Sequence, residues 1–234
     1  MIKSWLNSCK AHPKCCQTLS GGGHIDAEQA PLPTRCIEVL ESGFRLSETE
    51  SKIGSYLALS HRWASHTAAC STTTSNIDMR RNETSWAQDL PKIFLDTLEL
   101  ARRLDVKFVW IDSICIIQHE DDGDDWQRES VKMADYFQQA LLTVAATSGS
   151  EDYGLVPPKV TLPPRIARLP YQDGSGSRKG FFYVYSYNKE VDRQYELFVR
   201  NSELLTLGWV FQPADPVFYA RRRLFRMPRE KTSQ

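Results

Sequence analysis

The sequence predicts an α/β domain, in which a central, mostly parallel sheet has helices on both faces and additional β-hairpins. Three observations predict it. Phe108 to Ile117 is apolar on both alternating faces, as a strand covered on two sides requires. Before it, Leu90, Ile93, Phe94, Leu98, Ala101 and Leu104 recur at steps of three and four, the spacing of an amphipathic helix. After it come a second helical stretch and the apolar run Leu141 to Ala146, completing a strand, helix, strand, helix, strand order.

The chain of 234 residues has room for one large domain and a substantial core. At 41% hydrophobic and 25% charged residues, its composition is that of a folded globular protein. Acidic and basic side chains balance at 29 each, so no global field favours nucleic acid or an anionic membrane. No apolar run approaches the roughly 18 residues that span a bilayer, and the start of the chain lacks the apolar core of a signal peptide. A cytoplasmic location is expected, with the six cysteines kept as thiols.

Taken in order, residues 1–33 read as a flanking arm: a short helix anchored by Trp5 and Leu6, then the breaker Gly21-Gly22-Gly23. The domain is expected over 34–212. It opens with a hairpin, Cys36 to Leu40 and Phe44 to Leu46 around Ser42-Gly43, placed at a sheet edge. Tyr56 to Ser60 is the first core strand. Residues 64–88, rich in Ser, Thr and Asn without a sustained period, read as a loop or insertion. Asp124 and Asp125 open a helix through about Ala140, their carboxylates favoured by the helix start. The prolines and glycines of 156–180 read as a linker or long loop, and Phe181 to Tyr187 as a strand turning at Asn188-Lys189 toward Tyr195 to Val199. Residues 213–234 form a basic tail.

In parallel sheets, ligands meet the chain beyond the carboxyl ends of the strands. The first core strand delivers His61, Arg62 and Trp63 there, the second Asp112 and Ser113, the third Thr147, Ser148 and Gly149. Asp112 interrupts an apolar run and must find donors or a ligand, so it is either a structural acid tying down loop amides or a site residue. Trp126, Glu129, Met133, Phe137 and Ala140 fall on one helical stripe, which turns Glu129 toward the core or a cleft. Such a glutamate suits general acid/base work, or it interacts with the helix start, His61 or Arg62. Cys115 reads as an inert core thiol rather than a nucleophile. Cys9, His12, Cys15 and Cys16 are crowded, but one cluster without a second pair is not a zinc framework, and no metal is expected.

These motifs together resemble the fungal heterokaryon-incompatibility (HET) domain. Tyr56-Leu57-Ala58-Leu59-Ser60-His61-Arg62-Trp63 resembles its opening motif, and Phe108 to Gln118 its central one. Asp125-Trp126, Glu129, Met133, Tyr136, Ala140, Leu141 to Ala146 and Gly154-Leu155 continue the pattern, and Gly208-Trp209-Val210-Phe211-Gln212 closes it. Arg62 and Ala64 stand where the family has small residues and glycine, and Leu207 and Pro213 where its closing motif is charged. The family is similar in fold to TIR domains, which implies a flavodoxin-like three-layer core. It also implies non-self recognition and programmed cell death through self-association or protein partners. Some TIR domains cleave NAD with a glutamate, so the resemblance offers an alternative: NAD as substrate, Glu129 as catalytic residue, and His61, Arg62, Trp63, Asp112, Ser113, Gln118, Trp126, Trp209 and Gln212 lining the pocket. No other cofactor is implied.

Overall fold

The computed structural model describes residues 2–10, 27–84, 86, 90–118, 123–147, 154–155, 166–172, 174, 176, 179–185, 196–202 and 204. The first helix, α1, spans Ile2–Lys10. Four strands follow: β1 (Ala30–Pro31), β2 (Arg35–Val39), β3 (Phe44–Glu48) and β4 (Ile53–Gly54). The predicted hairpin is β2 and β3, and its turn places Gly43 at φ 86°, a conformation open to glycine at little cost. Strand β5 covers Tyr56–Ser60, every residue buried.

Residues 64–88 depart from the expected loop, since they hold two short helices, α2 (Ser65–Ala69) and α3 (Ile77–Asn82). Both are too short to show a period against a background of Ser and Thr. The long helix α4 spans Lys92–Leu104 behind Pro91 and ends on Asp105, whose φ of 67° turns the chain toward the next strand.

Strand β6 is shorter than its apolar run. It covers Phe108–Ile111, after which Asp112–Cys115 winds into a single helical turn, α5, with all four residues buried. A short apolar run cannot distinguish a buried strand from a buried turn. The Asp112 carboxylate accepts a bond from the Ser113 amide at 2.7 Å within that turn. The second predicted helix is likewise split, into α6 (Asp124–Ser130) and α7 (Met133–Gln139), and β7 (Leu142–Ala145) follows.

These strands form one five-stranded sheet in the order β3-β2-β6-β5-β7. Strands β6, β5 and β7 run parallel, with Leu59 opposite Ile111 and Val144. The hairpin joins antiparallel through β2, Ile37 facing Val109. The sheet is therefore mixed, because a hairpin can enter beside a parallel strand only with one antiparallel neighbour. Trp110, 1% exposed, packs edge-on against Phe137 and tilted on Tyr136, with ring centroids 5.2 and 5.5 Å away. From α4, Phe94 and Leu98 are fully buried in the same core. Burial of each such side chain contributes about 1.5–3 kcal/mol.

The second half of the chain corrects two expectations. β9 (Lys179–Tyr185) pairs with β8 (Ile166–Gln172), inside the stretch read as a linker or long loop, while the expected turn at Asn188-Lys189 and Tyr195 lie outside the described residues. Gly174 and Gly176, the latter at φ 71°, lie between the two strands. Glu196–Arg200 is a π-helical turn rather than a strand.

Candidate functional site

Parallel register brings the ends of β5 and β6 to one rim, so His61 and Trp63 meet Asp112 and Ser113 there. Trp63 Nε1 donates to Asp112 Oδ2 at 2.9 Å, and His61 Nδ1 lies 3.6 Å from Oδ1. His61 is 1% exposed and stands edge-on to Phe94, centroids 4.9 Å apart. With Trp63 on Oδ2 and the Ser113 amide on Oδ1, Asp112 has donors on both oxygens, as a buried carboxylate requires. The hydroxyls of Ser60 and Ser113 are buried and have no hydrogen-bond partner among the described residues. Gln118 Nε2 donates to the Ile116 carbonyl at 3.2 Å, and its amide to Thr72 at 2.7 Å, closing the loop behind α5. Arg62 is exposed. Of the β7 end, Thr147 is described; Ser148, Gly149, Trp209 and Gln212 lie outside the described residues, as do His12, Cys15 and Cys16.

Glu129 has other partners than the His61 or Arg62 weighed for it. Its Oε1 accepts from Thr34 Oγ1 at 2.9 Å and from Lys132 Nζ at 3.0 Å, and its Oε2 from the Tyr136 hydroxyl at 2.7 Å. It is 3% exposed. The buried stripe of α6 is Asp125 and Glu129, four residues apart, so Trp126 falls off it and is 50% exposed. Asp125, 2% exposed, pairs through Oδ2 with Arg35 Nη2 and accepts the Ile117 amide at 2.8 Å. Arg35 Nε donates to the Cys115 carbonyl at 2.8 Å. Burial opposes the charge on both partners, yet the pair outweighs it, so Arg35 titrates above and Asp125 below its ordinary value. Burial pushes the Tyr136 hydroxyl, and likewise the Cys115 thiol, up to about 12. A thiol held so high is no nucleophile at neutral pH.

Sequence reasoning therefore missed Thr34, Arg35, Asp125 and Tyr136, which fix α6 and α7 against the start of β2. The available signal was the four-residue spacing of Asp125 and Glu129, which puts two acids on one helix face. Among the described residues no cluster of three or more His, Cys, Asp or Glu could hold a metal ion.

Fold and rim together define a mixed α/β domain with its polar cluster where the parallel strands end. The family described as Heterokaryon incompatibility protein (HET) matches residues 56–212, well over half of the chain, and the chain belongs to that family. Membership ties it to heterokaryon incompatibility and the cell death associated with it. Neither curated proteins nor solved structures give a match to the chain. Strands β2 and β3, together with Thr34 and Arg35, lie upstream of the matched region and yet belong to its sheet and buried polar network.

Proposed function

We propose that this HET domain is a cytoplasmic signalling module of fungal non-self recognition that triggers cell death through self-association or a protein partner. The observation that carries this reading is the structural engagement of Glu129. Both oxygens of its carboxylate, in a residue 3% exposed, accept bonds from Thr34, Lys132 and Tyr136. A general acid or a stabiliser of a cationic centre has to reach the reacting atom. Glu129 instead holds elements together, which argues against NAD cleavage at this residue.

The β8–β9 hairpin also supports a role in protein contacts. Leu169, Tyr171, Phe182 and Val184 share one face of it and are 41–49% exposed. Apolar surface of this kind is characteristic of interaction sites. We take the domain to span 34–212, with a TIR-like three-layer arrangement. Trp110 against α7, and α4 against β2, β5 and β6, support helices on both faces.

Light scattering of the purified chain across a concentration range tests the reading. The expected result is a mass rising above 26.8 kDa with concentration, and less so for the double variant Phe182→Ser, Val184→Ser. A chain that stays at its monomer mass and binds no protein partner in a cell-death reconstitution overturns it.

A further inference from the structure

The two faces of the β8–β9 hairpin differ in chemistry. In its register Arg168 stands opposite Tyr183, Pro170 opposite Phe181 and Gln172 opposite Lys179, and these positions alternate with Leu169, Tyr171, Phe182 and Val184. One face is therefore cationic and aromatic, the other uncharged. Phe181 and Tyr183 are 54% and 62% exposed, far more than is usual for side chains of that kind. The Arg168 guanidinium lies over the Phe181 ring, its carbon 3.5 Å from the centroid.

Charge is segregated at this hairpin as well. From Arg165 to Tyr187 the sequence holds four cations, Arg165, Arg168, Arg178 and Lys179, against one acid, Asp173, in a chain whose formal charge is zero. Among the described residues the hairpin carries no acid at all. By contrast, the exposed Arg103 on α4 pairs with Glu99 at 2.8 Å. Arg168 rests on a ring instead, and Lys179 shares its face.

We infer that this face binds single-stranded nucleic acid. A polyanion supplies the countercharge that the hairpin lacks, and unpaired bases supply flat rings to stack on Phe181 and Tyr183. Two residues apart on one strand, these two rings are spaced by about 7 Å along it, a step that one nucleotide of extended backbone can cover. Arg168, held over Phe181, is pre-organised to give its N–H groups to a phosphate oxygen, and Lys179 adds a second cation along the same face. An acidic peptide would answer the cations and leave the rings unused. A duplex keeps its bases stacked inside and offers this face only its phosphates.

Fluorescence anisotropy with the full chain tests this, using a labelled thymidine oligonucleotide of about 12 nucleotides, a duplex of equal length and a polyglutamate of equal charge. The expected result is that the single strand binds about tenfold tighter than either of the others. Tyr183→Ala should weaken that binding about tenfold, whereas Tyr183→Phe, which keeps the ring, should retain wild-type affinity. Arg168→Gln should weaken it too, and should reduce the slope of log affinity against log salt by about 0.7, the share of one phosphate on a single strand. The control Arg103→Gln, which removes a surface cation elsewhere, should leave affinity and slope unchanged. Polyglutamate bound as tightly as the oligonucleotide assigns the face to an acidic protein and overturns the inference. Duplex binding of equal strength, no binding of the single strand at low salt, or an affinity that Tyr183→Ala and Arg168→Gln leave unaltered overturns it as well.

Discussion

The Tyr136 hydroxyl donates to Glu129 Oε2 at 2.7 Å, across the break that separates α6 from α7. Thr34 Oγ1 stands 3.2 Å from the same hydroxyl and 2.9 Å from Oε1, so one carboxylate holds two helices and the start of β2. Tyr136→Phe is expected to lower unfolding free energy by about 1–2 kcal/mol, the cost of a bond to a charged acceptor. Glu129→Ala, which strands two buried hydroxyls and Lys132, should cost about 2–4 kcal/mol. Urea unfolding with an unchanged slope measures both.

Arg35 and Asp125 form a buried pair whose loss leaves one uncompensated charge. Asp125→Ala or Arg35→Met should cost about 3–5 kcal/mol. By the same logic, a chain cut at residue 56, where the family match begins, loses β2, β3 and both upstream partners. Its circular dichroism should show no cooperative thermal transition, whereas a chain beginning at residue 27 should retain one.

Glu38 gives the protein an acid-sensitive edge. Burial would raise its pKa, but Lys107, Ser47 and Arg45 together hold it down at about 2, from an ordinary 4.5. A depressed carboxylate contributes stability that is present above its unfolded pKa and lost as pH falls toward the folded one. Stability should therefore decline between about pH 4.5 and about pH 2. After screening of the exposed Lys107 and Arg45, the share due to Glu38 is about 1–2 kcal/mol. Glu38→Gln should remove that share from the acid slope of a stability-versus-pH curve.

Gly154 sits at φ 69°, and a Cβ there would collide with the Asp96 carboxylate, which also accepts the Leu155 amide at 3.0 Å. Gly154→Ala is expected to destabilise by about 1–3 kcal/mol through strain and loss of this docking on α4. An equal loss in Tm from the double variant Gly154→Ala, Asp96→Ala would contradict that reading, since removing the carboxylate should relieve part of the clash.

How much of this was legible depended on period and length. Strand β5, the hairpin of β2 and β3, and α4 followed from runs long or regular enough to carry one period. The turn at Asp112–Cys115 did not, because a buried turn and a buried strand end present the same apolar string. In the second helix, the spacing puts Trp126 on the stripe facing the core or a cleft and Asp125 at the helix start, where its carboxylate is favoured. The structure exposes Trp126 and buries Asp125, because the surroundings of α6 include Arg35, which makes an aspartate the better buried residue. The rim of His61, Trp63, Asp112 and Ser113 was legible from the strand ends alone. The partners of Glu129 were not, since Thr34 lies 95 residues away in sequence and only the sheet brings it near.

In the proposed function, Glu129 holds the fold while the domain signals by association. Drug-induced dimerisation of the chain in cells, with Glu129→Gln beside wild type, tests it most directly. Glutamine keeps an oxygen for Thr34 and Lys132 and can still bond Tyr136. With folding of the variant verified by its thermal transition, death on dimerisation should equal that of wild type. A folded Glu129→Gln that dimerises and does not kill would contradict the account and return Glu129 to a chemical role.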